Sequence, residues 1–160
     1  MVSVGVTRIG KTWVVFIDRG AKANSSYYCN IVLKTVCCLT SEQYVVIYRW
    51  TLQQDGAPAH TAQTTIDYPK NEHINFIEPH MWLPNSHDIN PVDYAIWGAL
   101  RQRVYHQRQF KTVEELKRAI VTEWQKFSQR FIDNSVNEWR QRLETVIKNG
   151  GGHIEHCNLA

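Results

Sequence analysis

Thr51-Leu52-Gln53-Gln54-Asp55-Gly56-Ala57-Pro58-Ala59-His60-Thr61 is the stretch on which the architecture turns. From Tyr44 to Gln54 the residues alternate or run apolar, the spacing of a strand, and Gly56-Ala57-Pro58 then forces a turn. The strand delivers Asp55 at its carboxyl end, where ligand sites in open α/β sheets lie. Beyond the turn, Thr61 to Tyr68 can form a short helix, and Ile74 to Ile77 reads as a brief buried strand.

A second aspartate stands at a comparable junction. The loop Pro79 to Ile89 ends in Asn90-Pro91-Val92-Asp93, with Asn90 suited to cap a helix, Pro91 to its first position and Asp93 falling on the third. Val92, Ile96, Leu100 and Val104 give that helix an apolar stripe, with Trp97 beside it.

Working outward, Val2 to Thr7 and Trp13 to Ile17 are rich in β-branched and aromatic residues and predict a hairpin, with Gly10-Lys11 as its turn. Asn24 or Ser25 could cap a helix carrying Tyr28, Ile31, Val32 and Val36 on one side. Towards the other end, Thr112 and Glu115 form a capping box before Val113, Leu116, Ile120, Trp124 and Phe127. A last helix carries Ile132, Val136, Trp139, Leu143 and Val146 and stops at Asn149-Gly150-Gly151-Gly152. Trp97, Trp124 and Trp139 are expected in the core. The layout is α/β in front, residues 1–107, with a helical pair at 108–160 as an extension of the same domain.

The chain has 160 residues, 43% of them hydrophobic and 21% charged, enough for one core without disulfides. No apolar run approaches the roughly 18 residues of a membrane span, so an intracellular protein with no membrane partner is expected. Cys29, Cys37, Cys38 and Cys157 show no metal-ligand spacing and read as reduced thiols. The net charge of +3 is small, but unevenly spread. Residues 1–50 hold six basic and two acidic groups, 51–100 one and six, 101–150 eleven and six. A polyanion would be repelled by the acidic middle unless cations intervened, while basic flanks could grip phosphates; solvated helix faces would look the same.

Two carboxylates brought together suit magnesium, which takes one or two protein carboxylates and leaves the rest of its shell to water and substrate phosphates. On residue chemistry alone, structural roles account for both aspartates more readily than metal binding does. An acid at the third position of a helix is favoured by the exposed amides there, and Asp-Gly at a strand end is a common turn. His60 could orient a water, touch phosphate or stabilise its loop. Asp88 could add a carboxylate or brace the loop before Asn90. His153-Ile154-Glu155-His156-Cys157 carries zinc-ligand residue types but follows three glycines.

The strings QQDGAPAHTA at 53–62, WLPNSHDINPVD at 82–93 and WGAL at 97–100 resemble the DDE transposases of the mariner superfamily. The resemblance implies an RNase H-like mixed sheet with flanking helices and a C-terminal helical pair. It also implies metal-dependent DNA cleavage and strand transfer with Mg2+ or Mn2+, in the nucleus. Asp55 matches the family's second catalytic, metal-binding acid and Asp93 its third, with 37 residues between them. The first twenty residues are similar to the family's second and third strands, and GGGHIEH to its C-terminal tail.

Two departures shape the expectation. Ser86-His87-Asp88-Ile89-Asn90-Pro91 lacks a proline usual in the family's loop. The family's first catalytic aspartate, on a central first strand, lies upstream of the segment that Val2 to Thr7 resembles, and Asp18 matches a turn instead. On this reading the sheet lacks its first strand, the chain alone is impaired as an enzyme, and without helix-turn-helix modules its DNA binding is not sequence-specific. The alternative is a non-enzymatic remnant that binds DNA non-specifically, forms a homodimer or pairs with full-length transposase.

Overall fold

The computed structural model describes residues 1–17, 25–35, 50–83 and 86–154. Asp18, most of the stretch leading into Thr51, Cys37, Cys38 and the tail from Glu155 lie outside these. The described residues pack as two compact units, one drawn from Met1–Gly5 and Thr12–Asn85, the other from Val6–Lys11 and Ser86–Ala160.

In the first unit β1 (Val2–Ser3) pairs antiparallel with β4 (Val15–Phe16), Val2 opposite Phe16. Gly5 and Thr12 exchange two contacts: Thr12 N–H donates to Gly5 O at 2.9 Å, and Gly5 N–H donates to Thr12 Oγ1 at 2.7 Å. A Cβ on Gly5 would sit 3.0 Å from Thr12 Cγ2, so the missing side chain is what allows this approach. Helix α1 (Ser25–Tyr27) widens into a π-helical segment, Tyr28–Leu33, whose Cys29, Val32 and Leu33 are buried. The Cys29 thiol is free and lies 3.6 Å from both Thr64 O and Thr65 Oγ1.

The centre of this unit is a strand–helix–strand passage. Strand β5 (Thr51–Leu52) runs parallel to β6 (Asn75–Phe76), Leu52 opposite Phe76, and Ile77 N–H extends the ladder to Leu52 O at 2.9 Å. Parallel strands need a crossover, supplied here by α2 (Pro58–Thr61) and α3 (Gln63–Asn71). The single helix expected from Thr61 is divided, because Ala62 is extended at φ −66°, ψ 143°. β6 is also less buried than its apolar run suggests: Asn75 is exposed and Phe76 only half-buried.

The second unit includes the hairpin tip, where β2 (Val6–Thr7) pairs with β3 (Gly10–Lys11). Gly10-Lys11 is therefore strand, and Arg8-Ile9 makes the turn. The Thr7 side chain favours this placement by accepting from Ile9 N–H at 3.2 Å and donating to Gly10 O at 3.1 Å.

The helices of this unit are α4 (Trp97–Tyr105), preceded by a π-helical turn at Val92–Ile96, then α5 (Val113–Gln125) and α6 (Gln129–Lys148). Their caps follow the local sequence. Thr112 Oγ1 accepts from Glu115 N–H at 3.1 Å, while the Glu115 carboxylate reaches past Thr112 to Lys111 N–H at 2.9 Å. Ser128 Oγ accepts from Phe131 N–H at 3.3 Å. α6 ends in a Schellman motif: Gly151 N–H donates to Val146 O and Gly150 N–H to Ile147 O, with Gly150 at φ 64°.

Ile96, Leu100, Val104, Trp124, Phe127, Ile132, Val146 and Ile154 form the core of this unit. Only Trp124 of the three expected tryptophans is buried; Trp97 and Trp139 are half-buried, and Val113 in the first turn of α5 is 59% exposed. An apolar residue so close to a helix end can satisfy the helical period without meeting a packing partner. Glu123 is buried between Lys126 (2.9 Å) and Arg108 (3.1 Å), and the Lys126 ammonium above all holds its carboxyl below the usual carboxylate range.

The end of α5 is closed by a residue far away in sequence. The Lys11 ammonium donates to Trp124 O at 2.7 Å, Gln125 O at 3.1 Å and Phe127 O at 2.7 Å, so one cation satisfies carbonyls that the helix end leaves open. Burial, with Arg103 nearby, lowers its pKa. Lys11→Met should cost about 1–3 kcal/mol, the scale of a charge-assisted hydrogen-bonded group, read as a lower urea midpoint at unchanged slope.

Candidate metal-binding carboxylates

Asp55 lies three residues past the carboxyl end of β5, as its sequence position implies. One oxygen, Oδ1, accepts from Ala57 N–H at 3.0 Å in a tight Asp-Gly turn and meets His60 Nδ1 at 2.5 Å. Pro58 at the start of α2 sets the turn, and His60 sits one helical step later, facing back to the carboxylate. The His60 ring is stacked at 40° on Tyr28, centroids 4.3 Å apart, and the Tyr28 hydroxyl accepts from Gln54 Nε2 at 2.8 Å. Asp55 keeps 44% of its side chain exposed, whereas His60 keeps 20%.

Asp93 belongs to the second unit. Asn90 is the working cap: its Oδ1 accepts from Val92 N–H at 3.1 Å, its backbone carbonyl from Asp93 and Tyr94 N–H, and its Nδ2 donates to Asp93 Oδ2 at 2.9 Å. His87 Nδ1 lies 3.4 Å from the same Oδ2. The expected cap, first position and third position are all observed, with one addition: the backbone from Val92 to Ile96 is π-helical. Such turns recur at functional sites. The following Tyr94 is tied into the unit by its hydroxyl, which donates to Ser135 O, and by the Arg142 guanidinium 3.9 Å above its ring. Burial raises the Tyr94 pKa.

Asp55 and Asp93 each present a carboxylate partly open to water, 44% and 23% exposed, and each is oriented by donors from its own turn. Each carboxylate, taken within its own unit, has the oxygen chemistry of a ligand for a hard divalent cation such as magnesium or manganese, which binds oxygen and retains several waters. Among the described residues no group of three or more His, Cys, Asp and Glu could hold a metal ion. Asp88 has a separate role: it is buried, and its Oδ2 accepts from Ile154 N–H at 3.2 Å and pairs with His153 Nδ1 at 3.0 Å. It braces the returning tail. Sequence spacing had no means of linking it to His153, and Glu155, His156 and Cys157 lie outside the described residues.

The fold is that of solved transposase domains. The catalytic domain of Mos1 mariner transposase superposes with a TM-score of 0.82 at 18% identity, over 96% of this chain and 75% of that one. A structure of the same domain with Mn gives 0.83 over 96% and 76%, and a Mos1 paired-end complex with Mn gives 0.77 over 92% and 43%. These define the class as an RNase H-like α/β domain. No family model matches the chain. In sequence it is 30% identical over 140 residues to the Tc3 transposase of Caenorhabditis elegans, covering 85% of this chain and 40% of that protein. The likenesses in sequence and fold support a mariner/Tc1 transposase catalytic domain, and the chain spans about two fifths of the length of its Tc3 relative.

Proposed function

We propose that the chain is part of the catalytic domain of a transposase that cuts and joins DNA with magnesium or manganese, Asp55 and Asp93 being two of the carboxylates that hold the ions. The observation that carries this reading is Asp55 at the carboxyl end of a parallel strand, with one oxygen already held by Ala57 N–H and His60. A bound divalent ion would stabilise the charge on the attacking and departing oxygens of a phosphoryl displacement. The chain's own residues contribute hard oxygen ligands at Asp55 and Asp93 and the hydrogen bonds that aim them.

With Asp55 and Asp93 as metal ligands, nicking of supercoiled plasmid by the 160-residue chain in Mn2+ should depend on both. Asp55→Ala or Asp93→Ala should remove it. Nicking that persists in both variants would refute the assignment.

The eleven basic against six acidic residues in 101–150 support a second reading, a DNA-binding module that does not depend on the aspartates. It predicts salt-sensitive, sequence-independent binding that survives the double substitution Asp55→Ala, Asp93→Ala. Either reading makes DNA the partner and the nucleus the compartment, and a homodimer or pairing with full-length transposase the assembly.

A further inference from the structure

We propose that His60 and Tyr28 form a positioning relay that fixes the Asp55 carboxylate for metal binding; the inference rests on the metal-site reading of Asp55. Three observations place the relay within one compact unit. The short 2.5 Å contact from His60 Nδ1 to Asp55 Oδ1 requires the proton on Nδ1, since a carboxylate can only accept. The His60 ring is mostly buried against Tyr28, at 4.3 Å between centroids, so its rotation is restricted. Tyr28 is in turn fixed by the hydrogen bond from Gln54 Nε2 to its hydroxyl, and Gln54 is the residue immediately before Asp55.

The loop closes on itself: Asp55, His60, Tyr28, Gln54. Ala57 N–H and His60 Nδ1–H both meet Oδ1, and two donors on one oxygen restrict the side-chain torsions of Asp55 more than either alone. Partners of this kind orient metal ligands, and losing one typically costs about 10–100-fold in metal affinity. Tyr28 stands where α1 passes into its π-helical segment.

The test uses the whole chain and Mn2+ alone. In titration calorimetry, His60→Ala should weaken Mn2+ binding about 10-fold, and His60→Asn, whose amide can still donate to Asp55, should recover part of it. Tyr28→Phe, which loses the bond from Gln54, should weaken binding slightly, and Tyr28→Ala, which also loses the ring against His60, should weaken it more with His60 in place. Thermal melts alongside separate a loss of binding from a loss of fold. Unchanged Mn2+ affinity in a folded His60→Ala variant would overturn the relay.

Asp55→Asn that binds as well as the parent, or a parent that does not bind Mn2+, would instead overturn the metal reading. The relay is then judged by a second measurement independent of metal, long-range 1H–15N NMR of His60. The parent should show the Nδ1–H tautomer and Asp55→Ala should lose it. An Nε2–H tautomer in the parent would overturn the relay.

Discussion

Ile132→Ala should lower the free energy of unfolding by about 2–5 kcal/mol, the range for removing a buried branched side chain and leaving a cavity. Ile132 is fully buried, at 0% exposure, one turn into α6 and within the core that Ile96, Leu100 and Trp124 share. Because domains of this size are stable by only about 5–15 kcal/mol, the loss is a large share of the total and should clearly lower the urea midpoint. Ile147→Ala supplies the control. It removes the same atoms from the same helix at a side chain that is 67% exposed, and should change stability by about 0.5 kcal/mol or less. Equal effects at the two positions would contradict the packing described for α6.

Asp88→Ala should cost about 1–3 kcal/mol through a different mechanism. Its carboxylate is the acceptor for the buried Ile154 N–H, and alanine would leave that donor without a partner in an apolar setting. The contact with His153 Nδ1 would go as well, and the Asp88 carbonyl, which accepts from Arg142 Nη1 at 3.3 Å, would lose a neighbour that fixes it. Asp88→Asn keeps an oxygen for Ile154 N–H but not the charge facing His153, and should cost less than Asp88→Ala. Amide exchange at Ile154 reads the result directly: it should accelerate strongly in Asp88→Ala and modestly in Asp88→Asn. Protection of Ile154 that is unchanged in a folded Asp88→Ala would show that the tail is held by the burial of its isoleucine alone.

Much of the candidate site could be read from residues close to one another in the chain. The turn after β5 follows from Asp55, Gly56 and Pro58, and the helix start at Asn90-Pro91 places Asp93 by the geometry of one turn. What escaped was the environment. Tyr28 carries no signal of its role, since an aromatic at helical spacing looks like core, and only folding sets it against His60. Asp88 looked like a loop brace because its actual partners, His153 and Ile154, are supplied by a segment that α6 and its glycine stop bring back. The even apolar stripes likewise overstated burial at Val113, Trp97 and Trp139, because a stripe records which face is apolar and not how far the neighbouring elements extend over it.

By itself the sequence determined the helix caps at Asn90 and Thr112, the stop at Gly150-Gly151, and the turn at Asp55, all of them made by groups within about one turn of each other. Tertiary structure alone decided that Lys11 caps a helix 113–116 residues away and that Asp88 holds a backbone amide 66 residues on. It alone decided that Tyr28, at the start of the π-helical segment after α1, backs the histidine beside Asp55. The physical reason is the range of the interactions. Backbone torsions and capping hydrogen bonds are satisfied locally, whereas a buried charge or ring takes whichever partner the folded chain brings within hydrogen-bonding or stacking distance.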